Sequence, residues 1–314
     1  MKIPFVKMHG LGNDYVFIDG RNGVELQSSS VIAISDRREG VGGDGVVILE
    51  SPADVANHAR MRIFNADGSD GGVCGNGLRC LARWLWQDGF VPEGSIRVET
   101  PGGVVELLAG PALEDGTVQV EAAMPSPRLA CGEIPARIPG VDPGDPVIQR
   151  NACEILPAQD LPATARLTLV SMGNPHAVLI LTDAAGIGRE ELDRMIRSVG
   201  PKIERHAFFP ERINVHLMIP DDRSGLRMST WERGSGATRA CGTGACAAVV
   251  ALVAASGPGD GSWREVELPG GRLEISWSGR PSDPVRQRGP AVESFRGWVE
   301  IESGSAFAGQ ARST

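Results

Sequence analysis

The sequence predicts an α/β (α+β) fold built from two pseudo-symmetric halves related by internal duplication. Two observations predict it. Three landmarks recur in the same order at nearly constant spacing: Gly12-Asn13 with Gly173-Asn174, Cys74-Gly75-x-Gly77 with Cys241-Gly242-x-Gly244, and Pro101-Gly102-Gly103 with Pro269-Gly270-Gly271. Each half also strings short strand-like runs around an apolar helical segment that begins just after the repeated cysteine.

The elements follow in order. Strands are expected at Ile3–Met8 and Tyr15–Asp19, flanking His9-Gly10-Leu11-Gly12-Asn13-Asp14, and a short helix over Ser29–Arg38 ends in the glycine-rich loop 40–45. Strands at Val46–Glu50 and Ala59–Phe64 lead to the Cys74 loop and a helix reaching about Asp88. Strands at Ile96–Thr100, Val104–Leu108 and Thr117–Ala122 close the half, with Pro101-Gly102-Gly103 as a turn. Residues 125–162 hold eight prolines and little periodicity, so they read as a crossover of loops and short strands.

The second half repeats the pattern. Strands are expected at Arg166–Ser171 and Ala177–Leu181, a helix at Arg189–Val199 with acids in its first turn, and strands at Ile213–Ile219 and Leu226–Trp231. The Cys241 loop, a helix to Ala255, and strands at Glu265–Leu268 and Arg272–Ser278 complete it. After Gly289-Pro290-Ala291, a strand at Phe295–Ile301 returns to the first half. The expected domains are therefore 1–124 together with a strand near 290–302, and 125–289, with 303–314 a flexible tail.

The chemistry gathers at the two cysteine loops. Each runs from an aromatic (Phe64, Trp231) through a polar residue (Asn65, Glu232) to Cys-Gly-x-Gly and a helix. A thiol at a helix N-terminus lies beside unpaired N–H groups and the positive end of the macrodipole, which lower its pKa and can hold a carboxylate. A nucleophilic cysteine enzyme needs one thiol and a base. A duplicated pair suits stereoinversion: one group takes a proton from one face of a carbon and the other returns a proton to the opposite face.

Composition narrows the field. A net charge of −8 without a basic stripe argues against nucleic-acid and anionic-membrane partners. The apolar run Ala245–Ala255 is too short to span a bilayer and Met1–Phe5 has no apolar signal core, so a cytoplasmic enzyme is expected. Six cysteines spaced C-x5-C and C-x4-C fit neither a disulfide scaffold nor the usual zinc pairs, and no zinc site is expected. Cys80 and Cys246, with Trp84 and Trp86, read as packed core, and Arg79 with Arg83 as a solvated or ion-paired helix face.

Several stretches together resemble the diaminopimelate epimerase family: Phe64-Asn65-Ala66-Asp67-Gly68-Ser69, Cys74-Gly75-Asn76-Gly77, Met172-Gly173-Asn174-Pro175-His176, Glu232-Arg233-Gly234, Ala240-Cys241-Gly242-Thr243-Gly244 and Leu268-Pro269-Gly270-Gly271. The resemblance runs from Lys7 to about Ile301. It implies two similar domains, each a curved, mostly antiparallel sheet wrapped on a central helix. It also implies interconversion of LL- and meso-diaminopimelate, for lysine and peptidoglycan precursors, with no pyridoxal phosphate or metal.

By the same resemblance, Cys74 and Cys241 are the catalytic thiols, and His176 and Glu232 tune their pKa. Asn13, Asn65, Gly75, Asn76, Asn174, Asn214, Glu232, Arg233, Gly242 and Thr243 bind substrate, with Arg233 on a carboxylate. The expected partner is a small amino-acid substrate, with a homodimer as the assembly in view. Gly45 stands where some members carry Gln, and Ala237 where many carry Glu. Two readings compete: a proline- or histidine-type racemase, the proline type being expected to show Cys-Gly-His-Gly where this chain has Cys74-Gly75-Asn76-Gly77, and a non-enzymatic binding protein or thiol-based metal or redox module.

Overall fold

The computed structural model describes residues 2–300 apart from 73, 93, 157–160, 185, 222–224 and 258. The expected tail 303–314 and the end of the last expected strand at Ile301 lie outside the described residues. The first half contains β1 (Lys2–Gly10), β2 (Asn13–Asp19), α1 (Ser28–Ser35), β3 (Gly45–Glu50), β4 (Ala59–Asn65), α2 (Gly75–Gln87), β5 (Ser95–Thr100), β6 (Gly103–Ala112) and β7 (Val118–Met124). The crossover adds a 3-10 turn at Cys131–Glu133, then β8 (Arg150–Asn151) and α3 (Ala152–Ile155). The second half has β9 (Arg166–Ser171), β10 (Pro175–Ile180), α4 (Arg189–Glu204), β11 (Asn214–Pro220), β12 (Leu226–Glu232), β13 (Gly236–Thr238), α5 (Gly242–Ser256), β14 (Arg264–Leu268), β15 (Gly271–Ser276) and β16 (Val285–Glu300).

One sheet runs through both halves in the order β1-β2-β3-β4-β5-β6-β7-β16-β15-β14-β12-β11-β10-β9-β8, and a further β1–β16 pairing closes the first half into a barrel. Most pairings are antiparallel, and the parallel ones fall in equivalent places. β2–β3 matches β10–β11, and β4–β5 matches β12–β14. That placement is a structural trace of the duplication seen in the glycine landmarks.

The core sits where the pattern puts it. Leu78, Leu81, Ala82 and Leu85 give α2 one apolar face, and α5 is apolar almost all round, so it is buried along most of its length. Both helices share one cluster with the inward-facing strands of both halves. α1 covers the outer face of the first half and α4 that of the second, each over its own cluster.

Three expectations need correction. α4 does not stop at Val199. Leu192, Ile196, Val199 and Ile203 form one buried stripe that carries the helix through Pro201, and this tertiary packing outweighs the local break at Gly200-Pro201. Gly289-Pro290-Ala291 does not precede the last strand but lies inside it. β16 pairs with β7 and β15 over its first part and with β1 over Val292–Glu300, so one strand serves both halves. Arg79 and Arg83 are not a solvated face. Arg79 is wholly buried and Arg83 nearly so, hydrogen-bonded to neutral groups. The Pro-rich crossover is also less inert than its composition suggests: Cys131, Ile134, Ile138 and Val147 pack into the second-half cluster.

Candidate active site

Both cysteines are the N-cap residues of their helices, Cys74 on α2 and Cys241 on α5, each in extended backbone. They line one cleft of about 1500 Å3 between the halves. Asn13, Asn65, Gly75, Asn76, Asn174, Glu232, Arg233, Gly242 and Thr243 line it too. His176 and Asn214 do not; they lie buried behind its wall.

The first-half wall is built from the β1–β2 turn. Asn13 Oδ1 accepts from the Cys74 thiol at 3.5 Å and from Asn76 Nδ2 at 3.0 Å, while its own amide donates to Asp44 at 2.7 Å. Asp44 is anchored in turn by Arg37 at 2.8 Å. Tyr15, the chain's single tyrosine, donates its hydroxyl to Cys74 Sγ at 3.5 Å. Burial, and then the neighbouring Cys74, push the Tyr15 phenol well above its ordinary pKa, so it stays a donor.

The second-half wall repeats the frame with other groups. Asn174 Nδ2 donates to Thr243 Oγ1 at 3.4 Å, and Thr243 Oγ1 lies 3.6 Å from Cys241 Sγ. The Gly244 N–H, one of the free donors of the first helical turn, points at the same sulfur from 3.3 Å. Gly244 must be glycine: a Cβ there would stand 2.3 Å from His216 Cε1. The expectation of a lowered thiol pKa fails at Cys241. Burial and then the Glu232 carboxyl push it well up, and Thr243 and Gly244 N–H offset only part. Burial likewise raises Glu232 above the usual carboxylate range, against a hydrogen bond from Thr238.

Arg233 is exposed in the cleft, and among the described residues no carboxylate pairs with it. Its backbone N–H is held by Asn214 Oδ1 at 2.9 Å and its guanidinium by the Glu211 carbonyl at 2.9 Å. Asn214 also donates to the Pro175 carbonyl at 2.9 Å, so it braces the Arg233 turn. Buried Glu204, at the end of α4, accepts from Gly234 N–H at 3.1 Å and Trp231 Nε1 at 2.8 Å and braces the other side. The Gly45 departure has a steric reason here: a Cβ would stand 1.9 Å from the Phe64 carbonyl oxygen. The Ala237 position lines the cleft.

Sequence reasoning missed Tyr15, Asp44, Arg79 and His216. Tyr15 had a signal, since it follows Asn13 by the interval at which His176 follows Asn174. Arg79 bonds Asn76 Oδ1 and, at 2.7 Å, Gln287 Oε1; Gln287 Nε2 in turn donates to the Gly242 carbonyl at 2.9 Å. A buried cation with only neutral partners thus ties the two helix starts together. Arg79 itself lies behind the cleft wall; the two helix N-termini and Arg233 face the cleft and are groups that can receive a carboxylate.

Two helix-capping thiols on one cleft define an isomerase-type site on a scaffold with known counterparts. The fold matches the solved structures of a phenazine biosynthesis protein of the PhzF family from Bacillus anthracis (TM-score 0.63, 16% identity, 96% of this chain and 100% of that one) and a probable proline racemase from Agrobacterium radiobacter K84 (TM-score 0.62, 17% identity, 96% and 93%). Identities that low carry the fold alone. The diaminopimelate epimerase family profile matches residues 5–123 and 168–292. Relatives named diaminopimelate epimerase are 44% identical over 308 residues in Azoarcus sp. strain BH72 (96% of this chain, 100% of the relative) and 43% identical over 314 in Halorhodospira halophila (96% of each). The chain belongs to the diaminopimelate epimerase family, and it is an isomerase acting on a small molecule. The proline- and histidine-type alternative is not favoured, because its likeness stops at the fold.

Proposed function

We propose that this chain interconverts LL- and meso-2,6-diaminopimelate, a step toward lysine and peptidoglycan precursors, using Cys74 and Cys241 as the two bases. The observation that carries the reading is the pair of N-cap thiols on one cleft. One thiolate takes the α-proton, its S–H bond forming as the C–H bond breaks. The electron pair stays on the α-carbon and is spread into the adjoining carboxylate, which the Gly75-Asn76 and Gly242-Thr243 backbone receives at the helix starts. The other thiol gives its proton to the opposite face and is left as the thiolate, so the reverse reaction starts from exchanged roles.

Arg233 takes a carboxylate of the substrate, and Asn13, Asn65, Asn174 and Glu232 orient its polar groups. Asn214 acts through the Arg233 backbone. His176 and Glu232 set the thiol pKa values, Glu232 beside Cys241 and His176 through Asn174. The proposed domain division is 1–124 with the return strand near 290–302, against 125–289. A homodimer fits the exposed Phe295 and Trp298 on β16, and a cytoplasmic location fits the free thiols in a reducing compartment.

The test is incubation with LL-diaminopimelate in D2O, with chelator and reductant and without pyridoxal phosphate. The meso isomer should form with solvent deuterium at the inverted α-carbon. Exchange with proline or histidine but not diaminopimelate would overturn the substrate, and no exchange with any amino acid would overturn the reaction.

A further inference from the structure

A continuous line of polar side chains runs from the core of the second half to the sulfur of Cys241. Thr230 Oγ1 lies 2.9 Å from His216 Nδ1, across the β12–β11 pairing. His216 Nε2 lies 2.9 Å from His176 Nδ1, and His176 Nε2 lies 2.8 Å from Asn174 Oδ1. Asn174 Nδ2 then reaches Thr243 Oγ1, which contacts Cys241 Sγ. Both imidazoles are wholly buried and both are neutral. Burial holds His216 down at about 3, and burial, then His216 and Arg233, hold His176 well below its ordinary value.

Neutrality fixes the direction of every bond. A neutral imidazole has one N–H and one bare nitrogen. Asn174 Oδ1 only accepts, so His176 carries its hydrogen on Nε2 and its Nδ1 accepts. His216 Nε2–H supplies that bond, which leaves His216 Nδ1 to accept the Thr230 hydroxyl. At the other end Asn174 Nδ2 only donates, so Thr243 Oγ1 receives it and its own hydrogen is free to point at sulfur.

We propose that His216, backed by Thr230, is a positioning residue for Cys241. It fixes the tautomer of His176 and thereby the amide orientation of Asn174, so that the Thr243 hydroxyl is held as a donor to the thiolate. The inference rests on the reading of Cys241 as one of two bases. The ionisable groups around the line are Glu232 beside Cys241, Arg233 toward His176, and Asp44 acting on Glu232 from the other half. None of them touches His216, whose pKa is depressed by burial alone. The ring also lies directly beneath Gly244, whose N–H is the second donor to the same sulfur.

The experiment measures iodoacetamide alkylation of Cys241 and Cys74 against pH in the substrate-free full-length protein, resolved by peptide mass mapping, alongside kcat and KM. In His216→Leu, alkylation of Cys241 at pH 8 should slow about tenfold and kcat should fall about tenfold, as expected for losing one donor to a charged group. Cys74 alkylation should hold within about twofold, and any rise in KM, through Asn174, should be smaller than the fall in kcat. His216→Gln, which can both donate to His176 and accept from Thr230, should recover to within about threefold of the parent. Thr230→Val should show the same selective slowing at about threefold, and it decides the matter should His216→Leu fail to fold. An unchanged Cys241 profile in the folded variant, or equal slowing at both thiols, would overturn the proposal. Selective slowing at Cys241 in a protein inactive on diaminopimelate would keep this positioning role and sink only the reading of the reaction.

Discussion

Around Cys74 the polar groups are the Tyr15 hydroxyl and the Asn13 amide, and the thiol is half-buried. Around Cys241 they are the Thr243 hydroxyl, the Gly244 N–H and the Glu232 carboxyl, and the thiol is buried. The frame is duplicated: Asn13 bonds the residue two beyond Cys74, and Asn174 bonds the residue two beyond Cys241. The position two beyond each asparagine has diverged, to Tyr15 in one half and His176 in the other. Tyr15 reaches its sulfur directly, whereas His176 bonds Asn174 and His216. A base pair that exchanges roles needs comparable proton affinities. The more buried thiol, raised further by Glu232, has the longer set of donors aimed at it, which is how unequal surroundings can serve one reaction.

The largest expected effect ignores the difference between the sides. Cys74→Ala and Cys241→Ala should each lower kcat by about 1000-fold or more, since each removes a proton-transfer group. Near-normal turnover in either variant would break the two-base reading and leave a single working thiol.

The next effect should separate the halves. His176 and His216 are buried neutral, with folded pKa values below the unfolded value of 6.5. Their contribution to stability is therefore present above pH 6.5 and is lost progressively as pH falls below that value toward their folded values, because unfolding lets both imidazoles charge. The expected loss is about 1 kcal/mol per imidazole for each pH unit below 6.5. Urea unfolding at pH 7.5 and 5.5 measures it, and His216→Gln should lose about 1 kcal/mol less than the parent, while His9 in the first half, also lowered by burial, contributes equally to both. Tyr15, at the equivalent place in the first half, adds nothing in this range. Equal losses in parent and variant would mean that the imidazoles are not the acid-sensitive element.

Arg233→Lys comes third. A lysine keeps the charge but not the planar fork, so KM should rise about tenfold while kcat changes less. An unchanged KM would remove Arg233 from the carboxylate role.

How much of this was legible beforehand depends on the range of the interaction. The helix starts at Cys74 and Cys241, the strand runs and the repeat were visible because local pattern and turn residues specify them. So were the cleft-lining Asn13, Asn174, Glu232 and Arg233, which sit in repeated or family-like stretches. The through-strand at Pro290 was hidden because its pairing with β7 joins residues far apart in sequence. Arg79 looked like a surface residue because helical spacing does not reveal that Gln287 and Asn76 close over its guanidinium. His216 gave no signal at all: in an apolar strand, a lone histidine reads as core until the neighbouring strands bring His176 and Thr230 to it.

Tyr15→Phe is the sharpest probe of the comparison. It deletes one hydroxyl that touches Cys74 Sγ and leaves the ring that packs in the core. Losing a single donor to a thiolate should lower kcat about fivefold and slow alkylation of Cys74 by a like factor, with Cys241 unaffected. That is the mirror of the result expected for Thr230→Val, which should touch Cys241 alone. If Tyr15→Phe slowed both thiols, the surroundings would be coupled through Arg79 and Gln287 and not independent. If it slowed neither, Asn13 and the helix start would suffice for Cys74, and only the buried thiol would depend on supporting donors.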